Sequence, residues 1–554
     1  MLDRLGGFLY RRRRAVLWAS LAAVLAAGVF GGPVFGLLDS GDDFDDPKAE
    51  AVLASRDVQR ATGANASPDL VALVRLGAPA DSAEAQGKLA RVAAALRDPG
   101  IARVARYERG GDRNLVSKDG RSSYVVATFR ADDGGALERV QPKLERMPGV
   151  TVGGGELAQE QVGDQVSEDI ARAELLAFPI LFLLSLFVFR GVVAALLPLA
   201  VGGATIMISF LAMRFVNGAI EPMSIFALNL ITGLGLGLAI DYSLFMVSRF
   251  REELERGLDT SAAIRVMMNT AGRTVLFSSI TVAAALAALL VFPLRFLYSM
   301  GVGGTICALA AALVSLTILP AILAALGPRV NSLSPKRWQA ALHREASDVR
   351  GGFWYRLSQI VMRRPIPFAA GATALLIALG LPFLGIQFTG VDATVLPREG
   401  HSARVVQDAL DTEFPPNRTS PVYVAARGGD GDRADVERYA RELGDVPGVV
   451  GAPEVQPMDG LYRIDLVAPG PPLGEQAKEL VRDVRAVASP VPVRVGGQTA
   501  GFLDQQKALA DSLPLALGIL AATTLVILFL MTGSVILPIK ALVMNVLTLS
   551  AAFG

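Results

Sequence analysis

Cysteine and histidine are almost absent from this chain, which has one cysteine and two histidines in 554 residues. Cys307 lies inside an apolar stretch, so the sequence excludes a disulfide framework and a cysteine metal site. The two histidines, His343 and His401, are too few for histidine-based catalysis, and no Ser-His-Asp arrangement can be assembled from them. We therefore expect no enzyme activity, no cofactor and no metal.

The chain also lacks an excess of one charge and a nucleotide-binding motif. Lys and Arg total 53 against 52 Asp and Glu, so no basic domain indicates a nucleic-acid partner. No Walker A pattern is present, which argues against an ATP-driven pump, and the Gly233, Gly235, Gly237 spacing does not fit a dinucleotide fingerprint. Hydrophobic residues make up 52% of the chain, a share typical of membrane proteins.

Apolar stretches long enough to cross a bilayer recur along the whole chain. The first follows the arginines at positions 11 to 14 and is predicted to be an uncleaved transmembrane helix rather than a signal peptide. Arginines flank the predicted cytoplasmic loops, so the N-terminus is expected inside and both large polar regions outside the cytoplasmic membrane. The basic stretch Arg249–Arg273 is expected to form a cytoplasmic helix on the membrane surface.

The second half of the sequence repeats the first. Arg363-Arg364 opens a span as Arg13-Arg14 does, and each polar region ends in a short strand followed by glycines. Each polar region alternates helices and strands, which predicts an α+β sandwich with helices on one sheet face. Parallel repeats of this kind are typical of transporters. The predicted parts are residues 1–38 (N-terminus and first span), 39–173 (first extracytoplasmic domain), 174–326 (spans two to six), 327–365 (cytoplasmic linker), 366–386 (seventh span), 387–510 (second extracytoplasmic domain) and 511–554 (eighth and ninth spans).

The most informative stretch is Thr232–Glu253, which places Asp241 and Tyr242 inside an apolar span. A charge within a bilayer-spanning helix costs several kcal/mol, and such residues usually face a bundle interior or a water-filled path. Gly233, Gly237 and Asp241 are spaced four apart, so they share one helix face on which a neighbouring helix can approach closely. This pattern predicts a proton or ion relay. The alternative is a structural aspartate that is hydrogen-bonded to a neighbour.

Several hydroxyl residues could contribute to the same relay. Ser243 follows the Asp-Tyr pair, and Ser278 and Ser279 lie in the next span, where they could line the same path. Serines in membrane helices often bond instead to their own backbone or pack at an interface. Both interpretations stay open from the sequence.

Three segments together resemble a known family: Gly237–Glu253, Arg273–Ser279 and Asn545–Gly554. The chain resembles the resistance–nodulation–division (RND) superfamily and, within it, the MmpL (mycobacterial membrane protein large) lipid transporters. The resemblance implies a polytopic α-helical membrane protein with two porter-like α+β domains and a two-fold internal repeat. It also implies that Asp241 and Tyr242 form half of a proton relay, with a second Asp-Tyr pair in a tenth span.

That tenth span would lie beyond Gly554, so we expect a truncated transporter whose relay is incomplete in this sequence. The function implied is proton-driven export of lipids or other hydrophobic molecules, through a multi-pass protein in the cytoplasmic membrane. A drug or hopanoid exporter with the same fold is one alternative, and a non-transporting sterol-sensing or assembly scaffold is another. The expected partners are the substrate, protons, the membrane and accessory envelope proteins, with a monomer and a trimer both open.

Overall fold

The computed structural model describes residues 2–38, 44–219, 223–332, 353–385, 390, 392–415 and 419–553. Most of the predicted cytoplasmic linker, with His343, lies outside these described residues. Two compact units make up the chain. The helical unit comprises Met1–Asp43, Ile170–Gln387 and Ser512–Gly554, and the α/β unit comprises Phe44–Asp169 and Phe388–Asp511.

The helices, in chain order, are α1 (Leu2–Arg11), α2 (Arg13–Gly31), α3 (Glu50–Thr62), α4 (Ala83–Ala95), α5 (Ala136–Glu145), α6 (Gly155–Phe189), α7 (Val192–Ala219), α8 (Phe226–Glu255), α9 (Thr260–Asn269), α10 (Ala271–Ala287), α11 (Arg295–Leu326), α12 (Phe353–Arg363), α13 (Pro365–Gly380), α14 (Ser402–Glu413), α15 (Arg433–Gly444), α16 (Glu475–Ala486), α17 (Gln498–Thr532) and α18 (Ile536–Phe553). The strands are β1 (Leu70–Arg75), β2 (Ile101–Ala105), β3 (Ser122–Phe129), β4 (Val150–Gly153), β5 (Val422–Arg427), β6 (Glu454–Met458), β7 (Leu461–Leu466) and β8 (Val493–Gly496).

Nine helices in the described part of the chain are long and apolar enough to cross a membrane, which confirms the predicted multi-pass architecture. The predicted surface helix between Arg249 and Arg273 is divided among the end of α8, the short helix α9 and the start of α10. Helix α1 is a separate amphipathic helix that packs on α9. There, a Cβ on Gly6 would lie 3.2 Å from the Met268 Cγ atom.

The two sheets of the α/β unit have the same strand order and so confirm the internal repeat. The first is β2-β3-β1-β4 and the second is β6-β7-β5-β8, with every neighbouring pair antiparallel. The described segment around Val449 forms no strand. Gly448 and Gly451 both have a positive φ and bound a segment too short for a strand, and the Val450 amide bonds singly to the Val467 carbonyl at 2.9 Å.

The two polar regions exchange their first helices. Helix α14, which belongs to the second region by sequence, packs on the first sheet, and α3 of the first region packs on the second sheet. On the first sheet, Val71, Leu73 and Tyr124 contact α14 through residues such as Val406 and Leu410. The opposite face of this sheet packs against α4 and α5. The expectation of helices on only one sheet face is therefore wrong, because the exchanged helix covers the other face.

The second sheet is built in the same way. Tyr423 and Ala425 contact Ala54 and Val58 of α3, while the other face packs against α15 and α16. The burial of both faces explains why β1 and β5 are almost unbroken apolar runs rather than alternating strands.

Arginines at the strand ends secure the exchanged helices. Arg75 ends β1 and makes a bidentate ion pair with Glu413, the last residue of α14. Arg427 ends β5 and makes the corresponding pair with Asp57 of α3, at 2.7 and 3.2 Å. Each pair joins one polar region to the other, and residues 44–169 and 388–511 form one compact unit.

Candidate functional site

Helix α8 carries five of the seven predicted site residues and packs against both α7 and α11. Its C-terminal end is closed by Gly257, which has a φ of +90° and so allows the left-handed turn that ends many helices. In that turn the Leu258 amide donates to the Glu253 carbonyl at 3.1 Å. The helix therefore runs well past Asp241 without a break and holds the site rigidly.

Gly235 is the glycine that allows the neighbouring helices to come close. A Cβ at this position would lie 3.1 Å from the Cys307 Sγ atom of α11 and 3.3 Å from the Ile206 Cγ1 atom of α7. The Cys307 thiol also lies 3.5 Å from the Ile231 carbonyl. This packing role of Gly235 was not predicted, although Gly235 and Ala239 are small residues spaced four apart, which is a packing signal in membrane helices.

Gly233, Gly237 and Asp241 do share one helix face, and that face is exposed. Apart from neighbouring parts of α8 itself, no atom of the described residues lies within 4 Å of a Cβ built on Gly233 or on Gly237. Asp241 makes no hydrogen bond or ion pair with any described residue. The face continues to Phe245, whose side chain is 58% exposed. The proposed role of the two glycines in packing at the relay thus stays a prediction.

Tyr242 and Ser243 point away from this open face and into the helix bundle. Tyr242 is 4% exposed and Ser243 is fully buried. Neither hydroxyl has a hydrogen-bond partner among the described residues. Tyr242 and Asp241 are therefore not hydrogen-bonded to each other in this structure.

The two serines of α10 differ in their surroundings. Ser279 is buried, and its hydroxyl donates to the Val275 carbonyl at 2.6 Å, which is the backbone-bonded arrangement that the sequence left open. Ser278 is half-buried. No hydrogen bond joins either serine to Asp241 in the described part of the chain.

A group of ion pairs at the end of α8 was not predicted. The Glu253 carboxylate is almost fully buried and accepts from Arg249 at 2.7 Å and from Arg256 at 2.9 Å. The i, i+4 and i, i+3 spacings of these residues were visible in the sequence and favour such pairs. They fix the end of the helix that carries Asp241.

Comparison with known proteins identifies a family and several relatives. The model of the MMPL family matches residues 43–368 and 405–554. A putative membrane protein of Streptomyces coelicolor, SCO6666, is 35% identical over 570 residues, covering 100% of this chain and 77% of that protein. The trehalose monomycolate exporter MmpL3 of Mycobacterium tuberculosis is 31% identical over 606 residues, covering 99% of this chain and 63% of the exporter.

A solved structure supports the fold. The hedgehog release protein Disp from the water bear Hypsibius dujardini superposes with a TM-score of 0.53 at 11% identity, covering 96% of this chain and 83% of that one. At this identity the similarity concerns the fold alone.

Proposed function

Because the chain belongs to the MMPL family of the RND superfamily, we propose that it takes part in exporting lipids or other hydrophobic molecules across the cytoplasmic membrane, driven by the proton gradient. The observation that carries this proposal is Asp241, a carboxylate in the middle of a membrane-spanning helix with no ion-pair partner among the described residues. Placing such a charge at the centre of a membrane helix costs about 2.5 to 3.5 kcal/mol, which protonation removes. A carboxyl group in this position suits proton coupling.

The open face of α8 supports a relay between two helices. Gly233 and Gly237 leave room for a second helix to approach next to Asp241. The resemblance implies a second Asp-Tyr pair in a tenth span, and we propose that this span is the facing helix. Protonation of Asp241 would then remove a charge at the contact and change how the two helices pack.

The α/β unit is the proposed extracytoplasmic passage for the substrate. Its two sheets and exchanged helices form one body, so a change of shape in one half is transmitted directly to the other half. The relative MmpL3 is named for export of trehalose monomycolate, and we propose a lipid substrate for this chain by that similarity. A drug or hopanoid exporter of the same superfamily is the alternative.

The test is Asp241→Asn, introduced into the complete gene and expressed in cells that lack it. Labelled envelope lipids are measured on each side of the membrane, with and without an uncoupler. We expect export to collapse in the variant to the level that the uncoupler gives. Glu252→Gln, at the exposed end of the same helix, is the matched control and should export normally.

A well-expressed Asp241→Asn protein that exports at the normal rate would contradict the proton-relay proposal. A non-transporting scaffold would then be the better interpretation, because a scaffold has no need of an ionisable group at position 241.

A further inference from the structure

Three buried hydroxyl groups in the helical unit lack hydrogen-bond partners among the described residues. They are Tyr242 and Ser243 of α8 and Ser315 of α11. Both serines are fully buried. Buried hydroxyls without a partner are rare, because an unpaired polar group removed from water costs about 1 to 3 kcal/mol.

Buried hydroxyls on the neighbouring helices α7 and α10 behave differently. Thr205 donates to the Val201 carbonyl at 2.8 Å, Ser209 donates to the Thr205 carbonyl at 2.8 Å, and Ser279 bonds to its own helix in the same way. The unpaired groups are therefore exceptions within a bundle that otherwise satisfies its hydroxyls.

Ser243 and Ser315 lie at the same level of the bundle. Helices α8 and α11 run parallel, since Gly303 contacts Ala227 and Cys307 contacts Gly235, further along both helices. Eight residues beyond that second contact, the two helices reach Ser243 and Ser315. Both serines therefore lie at one height on helices that pack against each other.

Helix α7 contains a proline at this height. It runs antiparallel to α8, where a Cβ on Gly202 would lie 3.6 Å from the Ala239 Cβ atom, so Pro198 is level with Tyr242 and Ser243. Proline has no N–H, so Pro198 cannot donate to the carbonyl of Ala194, four residues earlier.

Helix α11 adds a second acceptor in the same way. Pro320 lies inside this helix and leaves the Leu316 carbonyl without its usual donor. Leu316 follows Ser315 directly. Ala194, Tyr242 and Leu316 belong to one buried cluster, to which α7, α8 and α11 all contribute residues.

We propose that this junction binds internal water, held by the hydroxyls of Tyr242, Ser243 and Ser315 and by the freed carbonyls of Ala194 and Leu316. Internal water typically makes two to four hydrogen bonds to buried polar groups, and proline-freed carbonyls in membrane helices are often satisfied by ordered water. The role of this water rests on the proposed function. It orients the Tyr242 hydroxyl from the side of α8 opposite to the open Asp241 face.

The first test asks whether the Tm falls or rises when each serine is replaced by alanine. Ser243→Ala and Ser315→Ala each remove one partner of the bound water, so each should lower the Tm of the purified protein by several degrees. The double variant should lose less than the sum of the two, because both serines hold the same water. Ser279→Ala removes a hydroxyl that bonds to its own helix and should leave the Tm nearly unchanged.

If the junction is dry, each alanine removes an unsatisfied hydroxyl and the Tm rises. A raised or unchanged Tm in both variants overturns the proposal.

A second measurement detects the water directly. In X-ray radiolytic footprinting, water bound within the protein generates hydroxyl radicals that oxidise neighbouring side chains. Tyr242 should be oxidised several-fold faster than the equally buried Phe250, and its rate should fall in the double serine variant. Equal slow oxidation of Tyr242 and Phe250 counts against the site.

Export assays separate this proposal from the proposed function. As positioning residues, Ser243 and Ser315 should shift the pH profile of export when changed to alanine, without abolishing export. If the water site is confirmed but the Asp241→Asn protein exports at the normal rate, the proposed proton-coupled function is wrong and the water site stands. If Asp241→Asn stops export while both serine variants keep the normal Tm and pH profile, the water site fails alone.

Discussion

At the scale of single residues, Arg463 shows how the α/β unit satisfies a buried charge. Its guanidinium donates to the Asp465 carboxylate at 2.6 Å and to the Ala66 carbonyl, and it lies over the Tyr423 ring at 4.5 Å. Burial raises the pKa of Asp465 even though Arg463 lies beside it. Arg463 thus joins the second sheet to a loop of the first polar region while neutralising a buried carboxylate.

Removing that arginine should be strongly destabilising. Arg463→Ala leaves Asp465 buried and unpaired, and the loss of one partner of a buried pair typically costs about 3 to 5 kcal/mol. Thermal unfolding of the purified protein measures the loss. Arg433→Ala is the control, because its ion pair with Glu437 is exposed and should contribute little. Equal Tm values for the two variants would show that the Arg463 contacts do not stabilise the fold.

A second residue-scale effect concerns Asp69, which precedes β1. Burial raises its pKa from an ordinary value near 3.8 to about 6, although hydrogen bonds from Phe129 and Asn65 favour the charged form. A carboxyl whose pKa is raised on folding holds its proton more tightly in the native state. Its stabilising contribution is therefore complete below the unfolded pKa and is lost as the pH rises towards about 6.

We expect the free energy of unfolding to fall between pH 4 and 6, by up to about 3 kcal/mol from this residue. Asp69→Asn is neutral at every pH and should remove that part of the slope. Denaturant unfolding of wild type and variant over this pH range measures the difference. Parallel pH curves would mean that Asp69 ionises in the same way in the folded and unfolded chains.

At the scale of elements, the contact between α14 and β4 depends on a glycine. A Cβ on Gly153 would lie 2.6 Å from the Cβ atom of Val406, which is too close for two carbons. Gly153→Ala should therefore push α14 off the first sheet and lower the Tm of the α/β unit. Adding Val406→Ala to this variant should recover part of the loss, because it shortens the opposing side chain.

Gly155→Ala is the matched control for this prediction. Gly155 lies two residues away, has open space around its Cβ position and begins α6. Its replacement should leave stability unchanged or slightly increased. If both glycine variants have the same Tm, the close contact between Gly153 and Val406 has no energetic consequence.

The elements also show how far sequence reasoning reaches. Apolar length predicted the membrane helices, and the repeated order of elements predicted two related sheets. The run Leu70–Val74 has no polar residue, which indicates burial on both sheet faces, but the sequence cannot say which helix covers the second face. That choice depends on contacts between segments more than 300 residues apart, such as Arg75 with Glu413.

The same limit applies to the candidate site. The four-residue spacing correctly predicted that Gly233, Gly237 and Asp241 share a face. Helical spacing does not reveal which face meets a neighbour. In the described structure it is Gly235 that packs against α7 and α11, while Tyr242 and Ser243 point into the bundle. That Ser243 and Ser315 lie at the same height in the bundle follows only from the contacts between α8 and α11, which the sequence does not give.

At the scale of the whole molecule, the exchange of helices makes the two polar regions interdependent. Residues 44–169 alone would expose the sheet face formed by Val71, Leu73 and Tyr124, and α3 would have no sheet to cover. We therefore expect this segment to aggregate or to lack cooperative unfolding when it is expressed alone. Joined to residues 388–511 by a flexible linker, it should be monomeric and unfold in a single transition.

A third protein tests which of the two exchanged helices makes the polar regions depend on each other. Residues 44–169 fused to residues 392–415 restore α14 but leave α3 without its sheet, so this protein should be more soluble than the segment alone and less stable than the joined pair. Size-exclusion chromatography and thermal circular dichroism distinguish the three. If residues 44–169 alone form a monomer that unfolds cooperatively, the exchanged helices are accessory. The first sheet would then be an independent domain, and changes in one half of the α/β unit would not have to be transmitted to the other.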